Sequence, residues 1–312
     1  MENKSLNVSF NLTLDPFVLL PGGKYPIFFL GLLIFLFCLF CNLTMLVLIT
    51  VERNLHQPMY FILFSLPLND LIGISALLPK VLSDIVTESS TVYYPLCVLQ
   101  GFLLHMYGGG VLFILAAMAF DRYIAICKPL RYNTIMTPYT LIIIIALVWG
   151  LDFLLIISLF SIQVRLPRCQ NSIPNVFCDN SSLLKLSCAN TSINNIFGLF
   201  ITAVMQFISV SVQMYSYIQI LIACVVSRRS EAKSKAINTC IAQLVIFLMF
   251  ETVGTFTILS YRFTNVSLNL QKITGMLIFI IPPVLNPIVY GLKTKEIRNT
   301  LIKVFKQKVS IM

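Results

Sequence analysis

The sequence predicts an all-α membrane protein: a seven-transmembrane helix bundle with its amino terminus outside and a short amphipathic helix at the carboxyl end. First, hydrophobic residues make up 58% of the 312 residues and charged residues only 11%, against about 25% charged in typical soluble domains. Second, seven apolar stretches reach roughly the 20 residues that cross a bilayer at about 1.5 Å per residue. Third, basic residues and glycosylation sequons concentrate on opposite sides of these stretches.

The apolar stretches divide the chain into three parts. Residues 1–25 form an extracellular tail, 26–291 the seven-transmembrane domain and 292–312 a cytoplasmic tail. Nine cysteines in this length are too dilute for a disulfide scaffold, and the apolar content excludes intrinsic disorder. No internal repeat is visible, which argues against the repeat architecture of many transporters. The predicted spans are residues 26–51, 59–82, 96–120, 139–162, 194–226, 236–261 and 270–291.

The distribution of charge sets the orientation. With the amino terminus outside, 14 of the 22 Lys and Arg residues fall on the cytoplasmic side and eight outside, as the positive-inside rule favours. The net charge of +10 therefore reflects membrane topology, and we expect no nucleic-acid partner. Glycan acceptors must face the secretory lumen, and the segments assigned to the outside contain sequons at Asn3, Asn7, Asn11, Asn180, Asn190 and Asn265.

Three carboxylates lie inside predicted spans, where a charge costs about 2.5–3.5 kcal/mol at the centre. Asp70, Asp152 and Glu251 occupy the middle of the second, fourth and sixth spans, so each marks either a pairing or a function. Asp121 and Arg122 close the third span at its cytoplasmic end. Physical reasoning alone allows an interfacial pair that extends to the headgroups or a functional pair.

Four cysteines face the oxidising side of the membrane. Cys97 opens the third span, and Cys169, Cys178 and Cys188 lie in the long outer loop. Four cysteines allow three pairings, and the sequence alone does not choose among them. The chain has two His, no cluster with metal-ligand spacing and no nucleophile elbow, so we expect no enzyme activity, no metal and no cofactor.

Local motifs then narrow the class of membrane protein. The stretch 118–132, MAFDRYIAICKPLRY, closely resembles the MAxDRYxAICxPLxY signature of olfactory receptors, a branch of the rhodopsin-like G-protein-coupled receptors. In chain order, LHQPMYF at 55–61, SY at 216–217, KAINTC at 235–240 and PPVLNPIVY at 282–290 resemble further motifs of that family. Residues 261–263, YRF, resemble the HRF of its class I, fish-like branch.

The resemblance implies roles for the inner half of the bundle. Asp121 would hold Arg122 at rest, and Arg122 would meet Tyr217 and the G protein when the sixth helix moves outward. The implied coupling and switch residues are Asp70, Asp121, Arg122, Tyr123, Tyr217, Asn286, Pro287 and Tyr290. The resemblance also implies the pairings Cys97–Cys178 and Cys169–Cys188.

A candidate ligand pocket follows from helical geometry. Glu251 and Arg262 are eleven residues apart, which places them on one face of the sixth helix about 16 Å apart. Ile258 lies between them on that face, and His105 on the third helix is a plausible neighbour. The resemblance implies that Arg262 anchors a carboxylate odorant, with Glu251 meeting a hydroxyl or amine. The alternatives are an Arg262 solvated at the surface and a Glu251 protonated or bonded to a neighbouring helix.

The resemblance implies an odorant receptor in the plasma membrane of olfactory sensory neurons, in contact with membrane lipid. It would bind a small odorant and activate a heterotrimeric stimulatory G protein to raise cyclic AMP. One alternative is a rhodopsin-like receptor for an internal amine, lipid or peptide; the amine version expects Asp where this chain has Leu104. Another is an ion-coupled transporter that uses Asp70, Asp152 and Glu251.

Basic and apolar residues alternate over residues 293–305, which indicates the interfacial helix.

Overall fold

The computed structural model describes residues 9–17, 22–226, 230–260 and 267–309. Seven of its helices, α1, α2, α3, α5, α7, α8 and α9, are long and apolar enough to cross a membrane, which confirms the predicted fold class. The elements are β1 (Asn11–Leu14), α1 (Lys24–Val51), α2 (Pro58–Thr87), β2 (Thr91–Tyr93), α3 (Tyr94–Cys127), α4 (Tyr132–Ile135), α5 (Pro138–Gln163), β3 (Ser172–Ile173), α6 (Asn180–Leu184), α7 (Ser192–Val226), α8 (Ser230–Ser260), α9 (Leu268–Lys293) and α10 (Lys295–Val309).

Several helices are longer than the apolar stretches that predicted them. The second span was expected to end at residue 82, but α2 continues to Thr87. Its additional turn carries Asp84, which pairs with Lys80 one turn earlier. The third span was expected at 96–120, whereas α3 runs over residues 94–127. Hydropathy locates the apolar part of a helix, while backbone hydrogen bonds carry the helix on into the polar interface.

Helix α3 lies at the centre of the bundle and contacts α2, α5, α7 and α8. Its side chains from Leu104 to Ala119 are almost all buried. Helix α1 lies at the periphery instead: Leu33 and Phe40 are 65% and 63% exposed. Apolar side chains that face outward from a bundle of this composition are suited to contact with lipid tails.

Three consecutive glycines allow close approach to the middle of α3. A Cβ added at Gly109 would overlap the Asp152 carboxyl of α5, and a Cβ at Gly110 would overlap the Asn69 amide of α2. A Cβ at Gly108 would meet open space. Polar side chains from two neighbouring helices therefore pack directly on the α3 backbone.

A small sheet covers the end of the bundle that carries the amino terminus, which we call the outer end. Its strand order is β2-β1-β3. Asn11 pairs with Tyr93 in antiparallel register, and Leu14 pairs with Ile173 in parallel register. The leading segment, expected as a simple tail, thus contributes the central strand, and its Leu12 is fully buried.

Two cationic side chains tie this outer layer to the helices. Lys272 of α9 is 3% exposed and donates to Asp15 at 2.7 Å and to the Pro16 carbonyl at 3.3 Å. The Arg168 guanidinium of the outer loop lies 3.7 Å from the ring centroid of Tyr94, a cation–π stack. The sequence pattern alone predicts neither contact.

The opposite, inner end carries the short helix expected from the tail. Helix α10 follows α9 after Thr294 and contacts both α9 and α1. Its Ile297 is fully buried, while Glu296 and Arg298 are exposed. Helix α10 therefore packs on the bundle through Ile297 and also carries exposed charged side chains, as the alternation of residues predicts.

Candidate functional site

A cavity of about 250 Å³ lies in the outer half of the bundle. Helices α3, α5, α7, α8 and α9 form its walls, and α6 with the adjoining loop forms its roof. Most of its lining is apolar, as in small-molecule sites generally. Side chains from five membrane helices therefore meet around one cavity.

The roof is fixed by a disulfide. Cys97 of α3 is bonded to Cys178, with the two Cα atoms 5.3 Å apart. The neighbours of Cys178 in sequence, Phe177 and Asp179, both line the cavity. Phe177 also packs edge-on against Phe279 of α9 with ring centroids 5.8 Å apart. The structure also contains the Cys169–Cys188 bond, so both pairings implied by the resemblance are present.

Two of the predicted ligand residues, His105 and Ile258, line the cavity. Glu251 does not. It is turned toward α7, where it accepts a hydrogen bond from Gln206, a residue of the cavity wall. Helical spacing predicts that Glu251 and Ile258 lie on one face of α8. That face is wide enough for Ile258 to line the cavity while Glu251 contacts α7. Arg262 lies outside the described residues.

The orientation of His105 determines which hydrogen bonds it offers. Its Nδ1 lies 2.8 Å from the Gly101 carbonyl. A carbonyl oxygen only accepts, so Nδ1 carries the proton and Nε2 of the neutral ring is an acceptor. The ring also packs edge-on against Phe160 of α5. His105 therefore offers an acceptor on the side of the cavity formed by α3 and α5.

Sequence reasoning missed most of the α6 and α7 side of the cavity. Asn180, Met205 and Gln206 all line it. Asp179 and Asn180 follow Cys178 directly in the sequence, and this proximity to the predicted disulfide could have indicated that they lie near the cavity. The sequence contains no such indication for Met205. Asn180 also carries a sequon, and its side chain is partly buried in this wall; it stays a predicted glycosylation site.

The remaining sequons differ in their setting. Asn11 and Asn190 have exposed side chains, so both stay predicted glycosylation sites. The other three, Asn3, Asn7 and Asn265, lie outside the described residues.

The inner end of α3 carries an ion pair between neighbouring residues. Arg122 Nη2 lies 3.0 Å from Asp121 Oδ2, and the Asp121 side chain is fully buried. The Tyr132 hydroxyl of α4 donates to Asp121 Oδ1 at 2.8 Å. Burial and the negative charge of Asp121 raise the pKa of Tyr132, which keeps this hydroxyl protonated as a donor.

Tyr123 has a separate partner. Its hydroxyl lies 3.4 Å from that of Tyr215 on α7, and the Lys128 ammonium lies 5.4 Å from the centre of its ring. This contact joins the inner ends of α3 and α7.

A second polar group links α2 to α9. The Asn286 amide donates to both carboxyl oxygens of Asp70, at 2.8 and 3.1 Å. Pro287, the next residue, cannot donate a backbone hydrogen bond, which weakens the helix locally. Tyr290, one turn further, is buried near Tyr217, and the Tyr217 hydroxyl has no hydrogen-bond partner in the part of the chain that the structure describes. Asp70 and Asn286 are therefore in direct contact, and Tyr290 lies close to Tyr217.

Known proteins are similar to this chain over most of its length. The family model described as "Olfactory receptor" matches residues 31–308. The human "Olfactory receptor 52B2" is 37% identical over 270 residues, which cover 86% of this chain and 83% of the relative. The human "Olfactory receptor 52H1" is 36% identical over 96% of this chain and 99% of its own length. The mouse "Olfactory receptor 1M1" is 30% identical over 94% of this chain and 96% of its own length.

The fold, the cavity and the matching family lead to one identification. Seven membrane helices and relatives of this kind describe a multi-pass plasma-membrane protein that acts as a receptor and not as an enzyme. The chain belongs to the olfactory receptor family of G-protein-coupled receptors and serves in odorant sensing.

Proposed function

We propose that this receptor binds a small odorant in the cavity of the outer half and thereby activates a stimulatory heterotrimeric G protein, which raises cyclic AMP in olfactory sensory neurons. The observation that carries the proposal is that α3 takes part in both sites. It lines the cavity at Gly109 and carries Arg122 thirteen residues further along, about 20 Å away.

The inner groups are suited to a two-state switch. Arg122 Nε and the Tyr217 hydroxyl have no hydrogen-bond partner among the described residues. Buried polar groups that are left unpaired in one packing gain free energy from a packing that pairs them. A ligand that favours the second packing shifts the population toward it.

A carboxylate on the odorant is a finer prediction, which rests on the family resemblance and on Arg262. The described part of the cavity wall contains no Lys or Arg, so the prediction depends on this one residue. Acidic odorants and the Arg262→Ala variant therefore belong in the screen described next.

The test is a screen of acids, alcohols, amines and esters on transfected cells, read as cyclic AMP. Arg122→Ala should reach the cell surface and bind agonist but lose the agonist-driven response, because it removes the cation that meets the G protein. Arg53→Ala is the matched control, since it removes an exposed cation from the same end of the bundle. A normal dose response in Arg122→Ala would refute the coupling role, and agonist signalling without cyclic AMP would refute the stimulatory G protein.

A further inference from the structure

Asp152 of α5 is a buried carboxyl group to which no described residue donates a hydrogen bond. Its side chain is fully buried. Neither of its two carboxyl oxygens has a hydrogen-bond partner in the described ranges of the chain. An ionised carboxylate in this position is costly inside a membrane, and no described side chain donates a hydrogen bond to it.

The Asp152 carboxyl lies at the depth of the cavity. It packs against Gly109, which is part of the cavity wall. His105, one turn outward from Gly109, and Leu112, about one turn inward, also line the cavity. The carboxyl is therefore beside the cavity and not beneath its floor.

The flexible side chain of Met205 lies close to the Asp152 carboxyl. A Cβ added at Gly109 would overlap both Oδ1 of Asp152 and the terminal methyl of Met205, so these two groups approach the same point. Met205 lines the cavity, and methionine changes shape readily because it is unbranched with three rotatable bonds. The neighbouring residue Gly108, which also lines the cavity, has open space where a Cβ would lie. A small ligand group that moves the methyl aside would thus reach the carboxyl.

The charges around the cavity indicate which chemical group of a ligand would bind to Asp152. The carboxylate of the described wall, Asp179, already accepts from the Ser181 hydroxyl and the Ser182 backbone N–H. Asp152 is unpaired, and the described wall offers it no cation. An ammonium group would supply both a positive charge and hydrogen-bond donors, and charge-assisted bonds of this kind are about twice as strong as neutral ones.

We propose, building on the odorant-binding function proposed above, that Asp152 binds the ammonium group of a small primary amine in a subsite beside Gly109 and behind Met205. Asp152 is then a specificity-determining residue. It selects amines over alcohols of the same length, because an alcohol brings a donor without the charge.

The experiment uses the purified full-length receptor in lipid nanodiscs and measures its unfolding temperature, which requires no G protein. The probes are unbranched primary amines from butylamine to octylamine and the alcohols of the same lengths. Wild-type receptor should be half-saturated by an amine at a concentration at least tenfold below that of the matching alcohol. Asp152→Asn keeps the shape but not the charge, and should abolish this preference.

Two further variants keep the test decisive if Asp152→Asn fails to fold. Met205→Ala should lower the amine concentration needed for half-saturation, since the methyl no longer lies against the carboxyl. Gly109→Ala should raise it, because its Cβ displaces the carboxyl. Gly150→Ala is the control for the glycine change, as a Cβ there meets open space.

The outcomes separate this proposal from the odorant function. If the alcohols stabilise the receptor while the amines do not, the amine subsite is wrong and the odorant function stands. The same conclusion follows if amine binding is unchanged in Asp152→Asn, or if it is unchanged in both Met205→Ala and Gly109→Ala. If neither the amines nor the alcohols stabilise the receptor and no compound of the earlier screen raises cyclic AMP, the proposed binding of a small odorant in this cavity fails and the subsite with it.

Discussion

The two ends of helix α3 are built in opposite ways. At the outer end Cys97 is covalently bonded to Cys178, and the Gln100 amide donates to the Ala76 carbonyl at 2.8 Å while accepting from the Cys178 N–H at 2.9 Å. At the inner end Asp121 and Arg122 pair with each other, and Arg122 Nε has no partner among the described residues. The outer end is held in one arrangement, whereas the inner end retains groups that can take new partners.

This difference suits a receptor whose ligand site and coupling site share a helix. A fixed outer end keeps the cavity wall in register with its roof. Incompletely paired groups at the inner end lower the cost of leaving the resting packing, because fewer bonds must be broken. Changes at the outer end should therefore affect folding, and changes at the inner end should affect signalling.

The largest expected effect is the loss of the outer disulfide. Cys97→Ser opens a link between residues 81 positions apart, and the Cys169–Cys188 link spans 19 positions. The chain-entropy account gives about 4.5 kcal/mol for the first and about 3 kcal/mol for the second. Cys97→Ser should abolish surface expression, and Cys169→Ser should reduce it less, as measured by flow cytometry of a tagged receptor. Equal surface levels for Cys97→Ser and wild type would contradict the assignment of the outer end as the fixed one.

An intermediate effect is expected at Gln100. Gln100→Leu leaves the Ala76 carbonyl and the Cys178 N–H buried without their partner, at a cost of about 1–3 kcal/mol for each group. The unfolding temperature of the purified receptor should fall, while the agonist-driven response of the receptor that remains folded keeps its normal dose dependence. Gln170→Leu, an exposed loop position, is the matched control and should leave the unfolding temperature nearly unchanged. A Gln100→Leu receptor as stable as the control would show that these bonds contribute nothing.

The smallest effect is expected at the inner end and concerns signalling. Tyr132→Phe removes the hydroxyl that donates to Asp121, a bond to a charged group worth about 1.5 kcal/mol. That loss changes a resting-to-active ratio by about tenfold, so basal cyclic AMP should rise without a fall in surface level. Tyr139→Phe, at an exposed tyrosine, serves as the control. Unchanged basal activity in Tyr132→Phe would mean that this hydrogen bond does not stabilise the resting state.

The sequence predicted the membrane helices well, because a stretch of about twenty mostly apolar residues is typical of a helix that crosses a bilayer. It could not predict the sheet, whose strands of two to four residues come from positions 11, 91 and 172 and have no local signal of their own. The burial of Lys272 could not be predicted from the sequence either, because its partner Asp15 lies 257 positions away in the chain.

The candidate site was predicted in part for similar reasons. Helical spacing identified the face that carries Ile258, but it could not distinguish the cavity from the contact that Glu251 makes with Gln206. The sequon at Asn180 is a three-residue pattern and contains no information about the cavity that this side chain lines. The resemblance to a family selected the disulfide pairing where cysteine spacing alone left three choices open.

The strand order of the outer sheet also has a consequence for synthesis of the chain. The central strand β1 is made first, and its two neighbours follow roughly 80 and 160 residues later. Until residue 173 has left the ribosome, β1 has at least one edge with unpaired backbone groups, a state that favours pairing with other chains. The sheet can therefore be completed only after the first four membrane helices, α1, α2, α3 and α5, have been made.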